Sequence, residues 1–121
     1  MGIFGFGRRE LVSVPSNIAQ ISVSALTVST AESLVIISVN AETAAVLVKA
    51  ARSRRPHLLV GDHSSVNLIP VKDARLSPAY DPDVGWIIPM LPGVSDSIVD
   101  LVSDGPGVYE IEGLNLAVVV D

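Results

Sequence analysis

The sequence predicts a mainly β fold: a small sandwich or barrel of about seven short strands with one or two short helices, an α+β arrangement being the alternative. Three observations predict it. Eight prolines and nine glycines punctuate 121 residues, the spacing expected of short strands joined by turns. Several apolar runs alternate with serine, which is the period of a half-buried strand. The stretch Val108 to Val120, interrupted at Glu112-Gly113, is the clearest hairpin in the chain.

Residues 1–9 are set apart as an N-terminal arm, and residues 10–121 as a single β-rich domain. The arm alternates glycines with Ile3, Phe4 and Phe6 and ends in Arg8-Arg9. Such a segment folds poorly alone and is expected to lie against the body of the protein or a neighbour. Residues 10–39 read as strands. Ile21, Val23 and Ala25 alternate with Ser22 and Ser24, Ser29 to Ser33 is a turn, and Leu34 to Val39 is an apolar run expected to be buried on both faces. From Asn40 a helix is favoured over a strand. Asn40 can cap it, the alanines at 44, 45, 50 and 51 favour it, and Lys49, Arg52, Arg54 and Arg55 complement its C-terminal end before Pro56.

His57 to Val60 and Val66 to Val71 are the next strands, joined through Gly61 to Ser65. Pro70 is expected to push its strand to a sheet edge. Residues 73–85 are a long loop holding Pro78 and Pro82. Trp86-Ile87-Ile88 is a strand closed by Pro89, and Ser95 to Val102 a short helix capped by Ser95. No internal repeat is visible.

Composition narrows the function classes. With no cysteine, a disulfide scaffold, a thiolate metal site and a cysteine nucleophile are excluded. The longest apolar runs fall far short of the ~20 residues of a spanning helix, and the first residues do not read as a signal peptide because their charges follow the apolar positions. A cytoplasmic origin and no membrane partner are expected. The chain is 49% hydrophobic but only 17% charged, against about 25% charged in an average soluble domain. A surface so poor in charge suits burial against neighbours. Charge is also split. Positions 1–75 carry all eight basic residues and five acidic ones. Positions 76–121 carry eight acidic residues and no Lys or Arg, which permits head-to-tail attraction between copies.

No cluster reads as a reaction centre. Asp62-His63-Ser64 holds the residue types of a hydrolase triad, but adjacent residues cannot assemble one, and a polar turn accounts for it. His57 and His63, six apart across a strand and its turn, would need carboxylates such as Asp62 to make a metal site, and the pattern is a weak signal for one. Asp81 and Asp83 lack the glycine and distant glutamate of a calcium loop. Lys49, Arg52, Arg54 and Arg55 could meet phosphate, but the chain is acidic overall and its five aromatics lie elsewhere, which speaks against nucleic acid. No cofactor, metal or small-molecule substrate is expected.

The expectation is therefore a non-enzymatic structural or assembly subunit. It would self-associate or coat a larger particle, as a viral capsid or decoration protein does, with homo-oligomeric or other structural subunits as partners. Its interface would use Ile3, Phe4, Phe6, Arg8, Arg9, Arg52, Arg54 and Arg55. The alternative is a small ligand-binding or regulatory domain with its site at the 73–86 loop, around Tyr80, Asp81 and Trp86. A concave pocket lined by Tyr80 and Trp86 would favour that alternative.

Overall fold

The structure is a computed structural model that describes residues 12–72 and 76–121. The arm over 1–9, with Ile3, Phe4, Phe6, Arg8 and Arg9, lies outside the described residues. The chain is mainly β with short helices, as expected; the described residues form nine strands, where about seven were expected, in two sheets. The strands are β1 (Ala19–Ser22), β2 (Leu26–Ala31), β3 (Leu34–Val39), β4 (His57–Val60), β5 (Ser65–Pro70), β6 (Ala79–Asp81), β7 (Gly85–Met90), β8 (Gly107–Ile111) and β9 (Leu116–Val120). Helix α1 (Ala41–Ser53) follows β3, and α2 (Pro92–Val102) follows β7.

The five-stranded sheet runs β1-β4-β5-β7-β6 and the four-stranded sheet β2-β3-β9-β8. Pairs β1·β4, β3·β9 and β5·β7 are parallel. Each half of the chain is a hairpin, a helix and a second hairpin placed in the other sheet. Exchanging the halves maps the parallel pair β3·β9 onto β7·β5. Leu34 opens β3 and Gly85 opens β7, 51 positions later, and the first residues of the helices, Ala41 and Pro92, keep that shift. The duplication escapes the sequence because burial carries it more than identity does. Val39 corresponds to Met90, and the cap Asn40 to Leu91.

Local chemistry explains the elements. Asn40 caps α1 as expected, its Oδ1 accepting from Thr43 N at 2.8 Å. The same side chain donates to Ser24 Oγ at 3.1 Å, and Ser24 donates to Glu42 Oε1 at 2.9 Å. The cap therefore also ties the β1–β2 connection to the helix. Asn40→Ala is expected to lower stability by about 1 kcal/mol, read as a shift in a denaturant midpoint. A cost near zero would show that the Ser24 link replaces nothing. Pro92 starts α2 at its first turn, where a missing N–H costs little. Ser95 is not the cap. It lies buried in the first turn, its N–H bonded to Leu91 O at 2.9 Å.

Other expectations are corrected by the pairing. β3 buries only Val35, Ile37 and Val39, because it alternates between two faces. The turn after β2 is shorter than Ser29 to Ser33, since β2 runs on to Ala31. Pro70 ends a central strand, not an edge strand, and Pro89 lies within β7 instead of closing it. Pro70 is paired with Met90 in the parallel register, and Val71 N, just past β5, donates to Met90 O at 3.0 Å. Pro70 and Pro89 then point to the outer flanks, past the last pairs of β4 and β6, where no ladder N–H is required. The long loop over 73–85 contains β6. The last hairpin turns through four residues, Glu112 to Asn115, instead of two.

Side chains from both sheets and both helices form one contiguous apolar core, with Ile37, Leu47, Leu59, Ile88, Ile98, Leu116 and Val118 almost fully enclosed. Helices α1 and α2 pack against each other.

Candidate functional site

A cleft of about 560 Å³ opens at one end of the five-stranded sheet. Three parts of the chain wall it: the segment Val14 to Gln20, the turn His63-Ser64-Ser65, and the β6–β7 hairpin with Tyr80, Asp83 and Trp86. The sheet register builds its floor. Gln20 pairs with Leu58, Leu58 with Asn67, and Asn67 with Ile87, so Gln20, Leu58 and Asn67 lie side by side across β1, β4 and β5, and all three line the cleft.

Asn67 is the unusual member. It stands in an otherwise apolar buried run, Val66 to Ile69, and is 0% exposed. Its Nδ2 donates to Val84 O and to Trp86 O, both at 2.9 Å. The two carbonyls take both amide hydrogens and fix the orientation of the group. Its Oδ1 is buried with no donor among the described residues. A buried acceptor left unpaired is costly, so the position demands explanation beyond holding the hairpin.

The hairpin is shaped by two further features. Asp81 Oδ1 accepts from Asp83 N at 2.7 Å, an Asx turn that starts the connection. Gly85 has φ +93, and a Cβ built there would meet Ser65 O at 2.8 Å. Glycine is required for both the backbone conformation and the close approach of β7 to β5. The hairpin presents Tyr80, 58% exposed, against the half-buried Trp86, with ring centroids 5.3 Å apart and planes tilted by 60°. The two rings form an open corner at the cleft.

The expected residues distribute unevenly. Tyr80 and Trp86 line the cleft, while Asp81 shapes the turn from outside it. His63 and Ser64 also line it, and the acid that joins them is Asp83, not Asp62. No hydrogen bond joins His63, Ser64 and Asp83 among the described residues, and all three give the cleft polar walls. His57 is elsewhere, its Nδ1 2.9 Å from Arg55 O.

The basic residues lie at the end of α1. Arg54 caps that helix in the left-handed region, φ 60, and its guanidinium bonds Pro92 O at 3.2 Å and pairs with Asp96. It clamps α1 to α2 within one chain. Arg52 and Arg55 are exposed. Arg52 and Lys49 edge a second, apolar groove of about 530 Å³ floored by Ala44, Ala45, Val48, Val102 and Val120. Asn67, Gln20 and Gly85 were not singled out by sequence reasoning. The signal for Asn67 was a single amide inside the run Val66-Asn67-Leu68-Ile69.

No protein-family model matches this chain, and a search of curated proteins finds no significant relative.

Proposed function

We propose that this protein is a small ligand-binding domain whose site is the cleft beside Tyr80 and Trp86. The observation that carries the reading is Asn67. A buried amide whose Oδ1 has no donor among the described residues lines a cleft of ligand size that an aromatic corner also lines. Binding pockets commonly span about 300–1,000 Å³ and use a few convergent polar groups among aromatic walls. The lining offers orientation and contact, and it binds its ligand without transforming it.

Trp86 is the only tryptophan, so its emission reports on the site directly. Titration with a panel of hexoses, nucleosides and free amino acids is expected to give a saturable change with at least one class. A flat response to the whole panel would count against the reading.

The second reading is the structural or assembly subunit. The apolar groove on α1 favours it, because its rim carries Lys49 and Arg52 while the acidic residues of a second copy, such as Asp100 and Asp104, could meet that rim. Light scattering should then find oligomers that Ala45→Glu, at an exposed position in the groove, disperses to monomers. A wild-type monomer at high concentration would dispose of it.

A further inference from the structure

We infer that the cleft takes a neutral polyhydroxylated ring, that is, a sugar; this rests on the ligand-binding reading of the same site and names its substrate class. Four properties of the lining select that chemistry. First, Asn67 has spent both amide hydrogens on Val84 O and Trp86 O, so it can only accept, and its buried Oδ1, which has no donor among the described residues, needs an O–H or N–H. A ring hydroxyl meets that need.

Second, the remaining polar lining is of a kind that serves several hydroxyls at once. Gln20, His63, Ser64, Ser65 and Asp83 offer donors and acceptors on different walls. A ligand with one polar edge would leave most of them unused, whereas a sugar presents hydroxyls all round its ring. Third, the Tyr80–Trp86 corner offers two ring faces tilted by 60°, that of Tyr80 open to solvent. The C–H face of a pyranose packs on such a ring while its hydroxyls point sideways to the walls. Fourth, among the described residues none of the lining is Lys or Arg, and Asp83 stands in it. An anionic ligand would meet a like charge with no cation to offset it.

The volume, about 560 Å³, accommodates one or two sugar rings with bridging water. An open cleft with bridging water is also consistent with the weak affinities that solvated hydroxyls permit, so the titration must extend to millimolar ligand.

The test is a titration of Trp86 emission with D-glucose, D-galactose and D-mannose, with D-glucuronate and adenosine as the comparison arms. At least one hexose is expected to saturate, and the uronate to bind several-fold more weakly than glucose. Tyr80→Ala is expected to weaken the binding roughly tenfold, and Asn67→Leu to weaken it roughly tenfold or more. Tyr80 is exposed, so its variant folds and decides the matter even where the Asn67 variant does not. Uronate bound as tightly as hexose, or a hexose signal that survives Tyr80→Ala unchanged, overturns the sugar assignment. Saturation by adenosine and by no hexose overturns it while leaving the ligand-binding reading intact. Silence from every probe overturns both.

Discussion

Ile88→Ala is expected to destabilise the protein by about 2–5 kcal/mol, the range for removing a large aliphatic side chain from a packed core. Ile88 is 0% exposed and lies on the core face of β7, in register with Leu68 of β5. The loss combines transfer of the removed carbons with the cavity left behind. β7 is held by β5 along its length and by the three-residue β6 at its start only, so little can move in to fill the space. Against a total stability of about 5–15 kcal/mol for a domain, this is a large fraction. Urea unfolding should show a lower midpoint with an unchanged slope. A loss below about 1 kcal/mol would mean that the two sheets do not share the core described above.

Gly85→Ala is the second large effect, and it couples stability to the site. Placing a side chain at φ +93 costs about 1–3 kcal/mol in backbone strain alone. The added Cβ would also lie 2.8 Å from Ser65 O and 3.0 Å from Ser65 Cβ, contacts that only a shift of β7 away from β5 relieves. That shift separates Asn67 from Val84 O and Trp86 O and disturbs the cleft from beneath. The expected result is a loss of about 2–4 kcal/mol in urea unfolding, with ligand response at Trp86 weakened beyond what the stability loss explains. Gly113 makes the control. It has φ +85, but a Cβ there would have no neighbour within 4 Å. Gly113→Ala should therefore cost only the backbone part and leave the cleft unaffected. Equal losses at the two glycines would contradict the close approach at Gly85.

What was legible in the sequence follows from how local the governing interactions are. Helix α1 could be read because Asn40, the alanines and Pro56 act within a few residues of one another. The β8–β9 hairpin was legible for the same reason, though Leu114 sits in its turn and not in the strand. Pro70 and Pro89 misled because their tolerance depends on where β4 and β6 end, which is a property of the sheet. The parallel pairs β3·β9 and β5·β7 join residues far apart in sequence, and no local pattern announces them. β6 is three residues long and polar, and it exists because Tyr80 pairs with Trp86.

The site was half legible. Tyr80 and Trp86 stood out as aromatics beside a proline-rich loop, and the structure brings both to the cleft. Asn67 did not stand out, because its role is set by register. Only once β1, β4, β5 and β7 are aligned does it lie beside Gln20 and Leu58 and within reach of the Val84 and Trp86 carbonyls. Arg54 read as a cation that complements the end of α1 and serves an interface. The α1–α2 packing turns it into an internal clamp to Asp96.

The most direct test of the cleft as the functional site is a proton–nitrogen correlation spectrum recorded during titration with the hexose that binds best. The Trp86 indole N–H and the Asn67 side-chain amide should move together and saturate at one ligand concentration, with backbone changes confined to residues 63–67 and 80–87. Shifts that instead gather on α1 around Ala45 and Arg52, with Asn67 unmoved, would contradict the account.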